Sequence, residues 1–169
     1  MHRVTLASAT RADADELVQG NLDSREHHLP WATPFTDMVG FDAWFSRLLT
    51  GPHVGLVARE TTSHRIVGVV NLAEIVASTY FQSAYLGYYG MAAMGGRGLM
   101  TEAVHLAAAH AFGALGLHRL EANIQPSNLR SIALVERLGF RLEGFSPRYL
   151  RMGGEWRDHQ RWALLADEP

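Results

Sequence analysis

The sequence predicts an α/β (α+β) fold: one mixed, mostly antiparallel sheet of about seven strands flanked by about four helices, in a single domain over residues 1–169. Three observations carry that expectation. The run Met94-Gly95-Gly96-Arg97-Gly98 opens directly onto a helical pattern. Before it stand runs rich in β-branched and small apolar residues, two of them separated only by the turn-like Thr61-Thr62-Ser63-His64, which suggests an antiparallel pair. The chain finishes with two more strand-like runs around Gly153-Gly154, a strong two-residue hairpin signal.

In chain order, Arg3 to Leu6 reads as a short strand, and Thr10 with Asp13 makes a capping-box-like start for a helix to about Val18. Gly20 is placed to stop it. Residues Asn21 to Pro34 lack periodicity and hold His27, His28 and Trp31. Phe41, Trp44, Phe45, Leu48 and Leu49 then recur at helical spacing, their aromatics turned to the core. Strands follow at Val54–Arg59, Ile66–Val76 and Ala84–Gly90, the last leading into the glycine loop. Beyond the loop, Met100, Val104, Ala107, Ala108, Ala111, Phe112 and Leu115 form one helical stripe that Gly116 ends, and its alanines permit close packing on a sheet. Leu120, Ala122 and Ile124 alternate with polar neighbours as a strand does. Ser127 is placed to cap a helix from Asn128 to Leu138 that Gly139 ends, and Phe140–Tyr149 and Trp156–Leu165 complete the sheet.

Composition narrows the function classes. A chain with 47% hydrophobic and 19% charged residues can bury a sizeable core, and its net charge of −2 argues against nucleic-acid binding through a broad basic surface. With no cysteine there is no disulfide framework and no thiolate ligand or nucleophile. No stretch approaches the roughly 18 apolar residues of a membrane span and no leader pattern opens the chain, so a cytoplasmic protein without membrane association is expected. The nine histidines do not make a metal site: His105 and His110 are five apart, His27 and His28 adjacent, and no His-Glu-x-x-His occurs.

The glycine loop supplies the chemistry. Gly95, Gly96 and Gly98 let the backbone turn its N–H groups toward a ligand, and the following helix adds its dipole, a combination that holds phosphates without saying which phosphate compound. A dinucleotide reading is weakened because the loop follows antiparallel strands rather than the first strand of a βαβ unit.

The order of loop, strand, Asn128-Leu129-Arg130-Ser131 and Leu138-Gly139-Phe140 resembles the GCN5-related N-acetyltransferases (GNAT). Gly98-Leu99-Met100-Thr101-Glu102-Ala103, Glu143-Gly144 and Trp156-Arg157-Asp158-His159 look most like the RimJ/RimL-type ribosomal-protein N-acetyltransferases, the RimJ branch above all. The resemblance runs from about Leu22 to Leu165. It implies acetyl-CoA as co-substrate, without a metal, and transfer to an amine, foremost an N-terminal alanine of a ribosomal or other protein. A small-amine acetyltransferase acting on an antibiotic or polyamine, and a binding-only acetyl-CoA sensor, stay open as alternatives, as do monomer and homodimer.

The same resemblance assigns Gly95, Gly96, Arg97, Gly98, Leu99, Met100 and Thr101 to the coenzyme diphosphate, with Gly95 standing where Gln or Arg is usual and Met100 where Gly or Ala is usual. It gives Tyr88, Tyr89 and Gly90 to the strand that pairs with pantetheine and polarises the thioester carbonyl, and Asn128 to the coenzyme's arm. Many members donate a proton to the thiolate from a tyrosine that here is Val135; the RimL type implies a serine at Ser131 instead. The glutamate proposed as base in that type falls at Arg148, and Glu74 is the substitute candidate. His28 and Trp31 are expected at the acceptor wall. Since an α-amine of pKa near 8 is about 10% neutral at pH 7, against well under about 0.1% for a lysine, the lack of a clear base suits a protein N-terminus.

Overall fold

The computed structural model describes residues 2–168. Its seven strands form one sheet in the order β1-β2-β3-β4-β5-β7-β6. The strands are β1 (Val4–Ser8), β2 (Val54–Glu60), β3 (Ile66–Ala77), β4 (Gln82–Gly90), β5 (Arg119–Ile124), β6 (Arg141–Met152) and β7 (Glu155–Leu165). The helices are α1 (Ala14–Asp23), α2 (Arg25–His28), α3 (Met38–Thr50), α4 (Leu99–Gly113) and α5 (Leu129–Arg137). Every neighbouring pair is antiparallel except β4–β5, as the expected mixed, mostly antiparallel sheet requires.

The alternation of β5 explains its place. Leu120, Ala122 and Ile124 are all buried on one face, and the core of that face continues through Val70, Leu72, Leu86 and the alanine stripe Ala103, Ala107 and Ala111 of α4. Alanines at that spacing let α4 approach the sheet closely. On the other face Phe41 and Trp44 of α3 stack with Phe35, ring centroids 5.3–5.8 Å apart, as the helical pattern predicts.

Four boundaries differ from expectation. Gly20 does not end the first helix, which runs to Asp23 and is followed at once by α2. A Cβ on Gly20 would sit 2.9 Å from Met91 Sδ, so this glycine serves tertiary packing and not termination. Much of Asn21–Pro34, read as irregular, is therefore helical. Helix α4 stops at Gly113, with Gly116 following in left-handed backbone (φ +62), and α5 is capped by Asn128, not Ser127. Gly153 and Gly154, at φ +60 and +84, make the hairpin turn as read.

Parallel pairing between β4 and β5 covers only Ser83–Tyr85 against Arg119–Glu121. Beyond it β4 continues to Gly90 on β3 alone and β5 to Ile124 on β7 alone, so the sheet opens at its centre.

Candidate active site

The loop leaving β4 is built to hold an anion. Gly96 and Gly98 both adopt left-handed backbone at φ +73, and a Cβ at Gly96 would meet nothing within 4 Å, so the space above it is open. The first turn of α4 begins with the Glu102 N–H donating to the Gly98 C=O. That leaves the N–H groups of Gly98, Leu99, Met100 and Thr101 without a helical acceptor and pointing out of the helix N-terminus.

Around these amides the loop is tied down from outside. The Arg97 side chain turns to an ion pair with Glu60, whose second oxygen accepts from Ser63 Oγ at 2.6 Å. Its carbonyl accepts from Arg3 at 3.0 Å, and Glu102 accepts from the Arg3 N–H at 2.6 Å. Arg97, expected among the coenzyme contacts, does not line the cleft: its carbonyl is taken by Arg3 and its side chain anchors the loop to β2.

Met100 is accommodated by the sheet. Gly68 and Gly90 are directly paired across β3 and β4, and Cβ atoms there would fall 2.5 Å from Met100 Sδ and 2.8 Å from Met100 Cγ. The glycine pair makes the room that a smaller residue at 100 would not need.

The free edge of β4 supplies further donors. Met91 N–H donates to Val67 C=O on β3, so by strand alternation Tyr89 points its N–H the same way, while Tyr88 and Gly90 point theirs into the opening beside β5. One carbonyl of that edge is already used: His28 Nε2 donates to Gly90 C=O at 2.8 Å. Burial holds the His28 pKa below the ordinary value and neighbouring His27 adds to this, against the opposing Gly90 bond. The ring also packs edge-on against Tyr89, which accepts from Asn21 Nδ2 at 3.3 Å.

Successive residues of a strand face opposite sides, and Tyr88 accordingly reaches α5. Its hydroxyl lies 2.7 Å from Ser131 Oγ and 3.3 Å from Ser131 C=O. Burial pushes the Tyr88 phenol up to about 12, with the Ser131 bond opposing, so it stays protonated. Ser131 is fixed from its other side, because its N–H donates to Asn128 Oδ1 at 3.2 Å.

One cleft of about 340 Å³ joins these parts. Of the residues singled out in the sequence, it brings together His28, Trp31, Tyr88, Tyr89, Gly90, Gly95, Gly96, Gly98, Leu99, Met100, Thr101, Asn128 and Ser131. Among the described residues no Asp or Glu lines it, and its arginines are Arg130 and Arg137 of α5. Glu74 is not brought there. It sits in a bulge of β3 in left-handed backbone (φ +49), 66% exposed, with its carboxylate 3.8 Å from His53 Nε2. Val135 is buried in the core, and Arg148 lies in a bulge of β6, its N–H donating to Asp158. The side-chain pairing of Tyr88 with Ser131, and the hold of His28 on Gly90, went unread in the sequence. Strand parity beside a helix-start serine is the signal that points to the first.

Residues 3–141 match the family model described as acetyltransferase (GNAT) domain. The Bacillus subtilis protein named "Probable N-acetyltransferase YjcK" is 39% identical over 113 residues, covering 67% of this chain and 61% of that protein. The ribosomal protein uS5-alanine N-acetyltransferase of Escherichia coli is 41% identical over 103 residues, 61% of this chain and 53% of its own length. The matched segment thus spans between half and two thirds of these relatives. Among solved structures, Mycobacterium smegmatis RimJ in complex with CoA-disulfide superposes with a TM-score of 0.86 at 28% identity, over 97% of this chain and 82% of that one.

Proposed function

Because the chain belongs to the GNAT acetyltransferase family, we propose that it transfers an acetyl group from acetyl-CoA to an amine, and that the amine is the N-terminal α-amine, foremost of alanine, of a ribosomal or other protein. The observation that carries this reading is the single cleft in which the outward amides of Gly98–Thr101, the free edge of β4 and the Ser131 hydroxyl converge.

Acetyl-CoA supplies the thioester acetyl group and the departing sulfur. The chain's own residues do the rest. Backbone amides from Gly96 to Thr101 bind the diphosphate, and the open space above Gly96 fits that use. The Tyr88 and Gly90 N–H groups align the coenzyme's arm and polarise the carbonyl under attack. Asn128, while its Oδ1 caps α5, keeps its Nδ2 for that arm. As the C–S bond breaks, Ser131 Oγ hands its proton to the departing sulfur and recovers one from the nitrogen that has attacked the carbonyl, and Tyr88 holds the serine hydroxyl in place for that exchange.

The acid-free cleft supports an α-amine acceptor. A polyamine would find no carboxylate there to offset its charge, and a lysine would find no base to deprotonate it. An α-amine arrives neutral about 10% of the time at pH 7. A peptide-array assay with acetyl-CoA tests this: free N-terminal alanine peptides should be acetylated in preference to N-blocked, lysine-bearing peptides and to spermidine. Preference for a small amine overturns the acceptor assignment. Acetyl-CoA binding without thiol release for any amine would make the protein a sensor.

A further inference from the structure

The outward amides at the start of α4 account for a diphosphate, but they leave unexplained the two arginines that line the same cleft from α5. Arg130 and Arg137 share one face of that helix, two turns from each other and roughly 10 Å apart along its axis. Leu134 lies between them and lines the cleft too, so both guanidinium forks can meet one anion held over it.

Neither arginine is used up within the protein. No acid stands three or four positions from either one, where a helix would pair it. Arg3, Arg97 and Arg119 each hold a carboxylate, whereas among the described residues these two exposed arginines hold none. Their charge is left for a ligand of the cleft.

Arg130 is also aimed. Its Nη1–H donates to His27 Nδ1 at 3.4 Å, since a guanidinium has no acceptor to offer. His27 Cε1 in turn lies 3.9 Å from where a Cβ on Gly95 would stand, which sets ring and guanidinium beside the first glycine of the loop. Burial, and then the Arg130 charge, hold the His27 pKa below its ordinary value, so the ring stays neutral and keeps its nitrogen free to accept. The guanidinium is thus placed without a carboxylate to cancel it.

The geometry points to a phosphomonoester subsite made by Arg130 and Arg137, which takes the 3′-phosphate on the coenzyme's ribose; the assignment rests on the acetyl-CoA reading above. The chemistry distinguishes this group from the diphosphate. Each phosphate of the diphosphate bridge carries a single charge, whereas a terminal phosphomonoester carries close to two at neutral pH and presents three acceptor oxygens, a match for two planar forks. The pair selects the complete coenzyme over its 3′-dephospho form.

Calorimetry with acetyl-CoA and with acetyl-3′-dephospho-CoA tests this on the native sequence, Arg130→Gln, Arg137→Gln and the double variant. The native protein should bind acetyl-CoA about tenfold more tightly than the dephospho form, the scale of a hydrogen bond to a charged group. Each single variant should lose part of that preference and the double variant nearly all of it. Affinity for the dephospho form should stay within twofold throughout, which shows the fold and the diphosphate site intact. A native protein without preference, a preference that survives in the double variant, or an equal loss for both ligands overturns the subsite while the acetyltransferase reading stands. No binding of either ligand by the native protein overturns both.

Discussion

The hydroxyls of Tyr88 and Ser131, 43 positions apart in sequence, stand 2.7 Å from each other where β4 meets the start of α5. The pair joins the strand whose edge amides we propose to align the coenzyme's arm with the helix capped by Asn128, so two elements of the cleft share one hydrogen bond. Ser131→Ala should lower kcat about 10²-fold, the scale of general acid catalysis, with acetyl-CoA affinity little changed. Tyr88→Phe should cost less, and the double variant should be no slower than Ser131→Ala alone, since the phenol acts through the serine. A loss confined to KM would make Ser131 a binding residue.

Gly98 adopts φ +73 at the first position of the α4 turn, a conformation that costs a β-branched residue of the order of 1–3 kcal/mol. Gly98→Val should weaken acetyl-CoA binding by about tenfold or more in a folded protein, read by calorimetry. Unchanged affinity would remove the loop from the coenzyme site.

Arg97 pairs with Glu60 and not with the cleft, so under the proposed function it would serve coenzyme binding only by holding the loop. Arg97→Met and Glu60→Gln should therefore weaken acetyl-CoA binding by similar factors, and the two together by little more. A much larger and salt-dependent loss for Arg97→Met alone would indicate direct contact with phosphate.

The loop and its helix were legible in the sequence because their chemistry is local: three glycines and a helix start carry their meaning wherever they occur. The hairpin at Gly153-Gly154 was readable for the same reason. Gly20 does not end the helix because its missing side chain makes room for Met91, 71 residues away, and no pattern near Gly20 records that contact. Glu74 was proposed from its place late in a strand, but a bulge reverses facing within one residue, and alternation cannot foresee it. The Tyr88–Ser131 contact needs both the parity of a strand and the phase of a helix, which only the assembled sheet fixes.

His28 sets a pH dependence. Its folded pKa lies below the ordinary histidine value near 6.5, chiefly through burial, so the neutral ring is favoured in the native state. Stability from this group is whole above the unfolded value and is lost as pH falls below it toward the folded one, because the unfolded chain takes up the proton first. Urea unfolding should show a larger loss between pH 8 and pH 5.5 for the native sequence than for His28→Gln, which keeps a donor for Gly90. Parallel losses would mean that His28 titrates alike in both states.

The early end of β4–β5 pairing bears on self-association. Unpaired strand edges usually lie at the rim of a sheet, where another chain can add to them. Here a further edge lies in the middle of the sheet, flanked by residues of α2, α4 and α5 that stand in the way of a second strand. The protein can thus keep hydrogen-bonding capacity permanently on offer without inviting the intermolecular β-pairing that leads to aggregation.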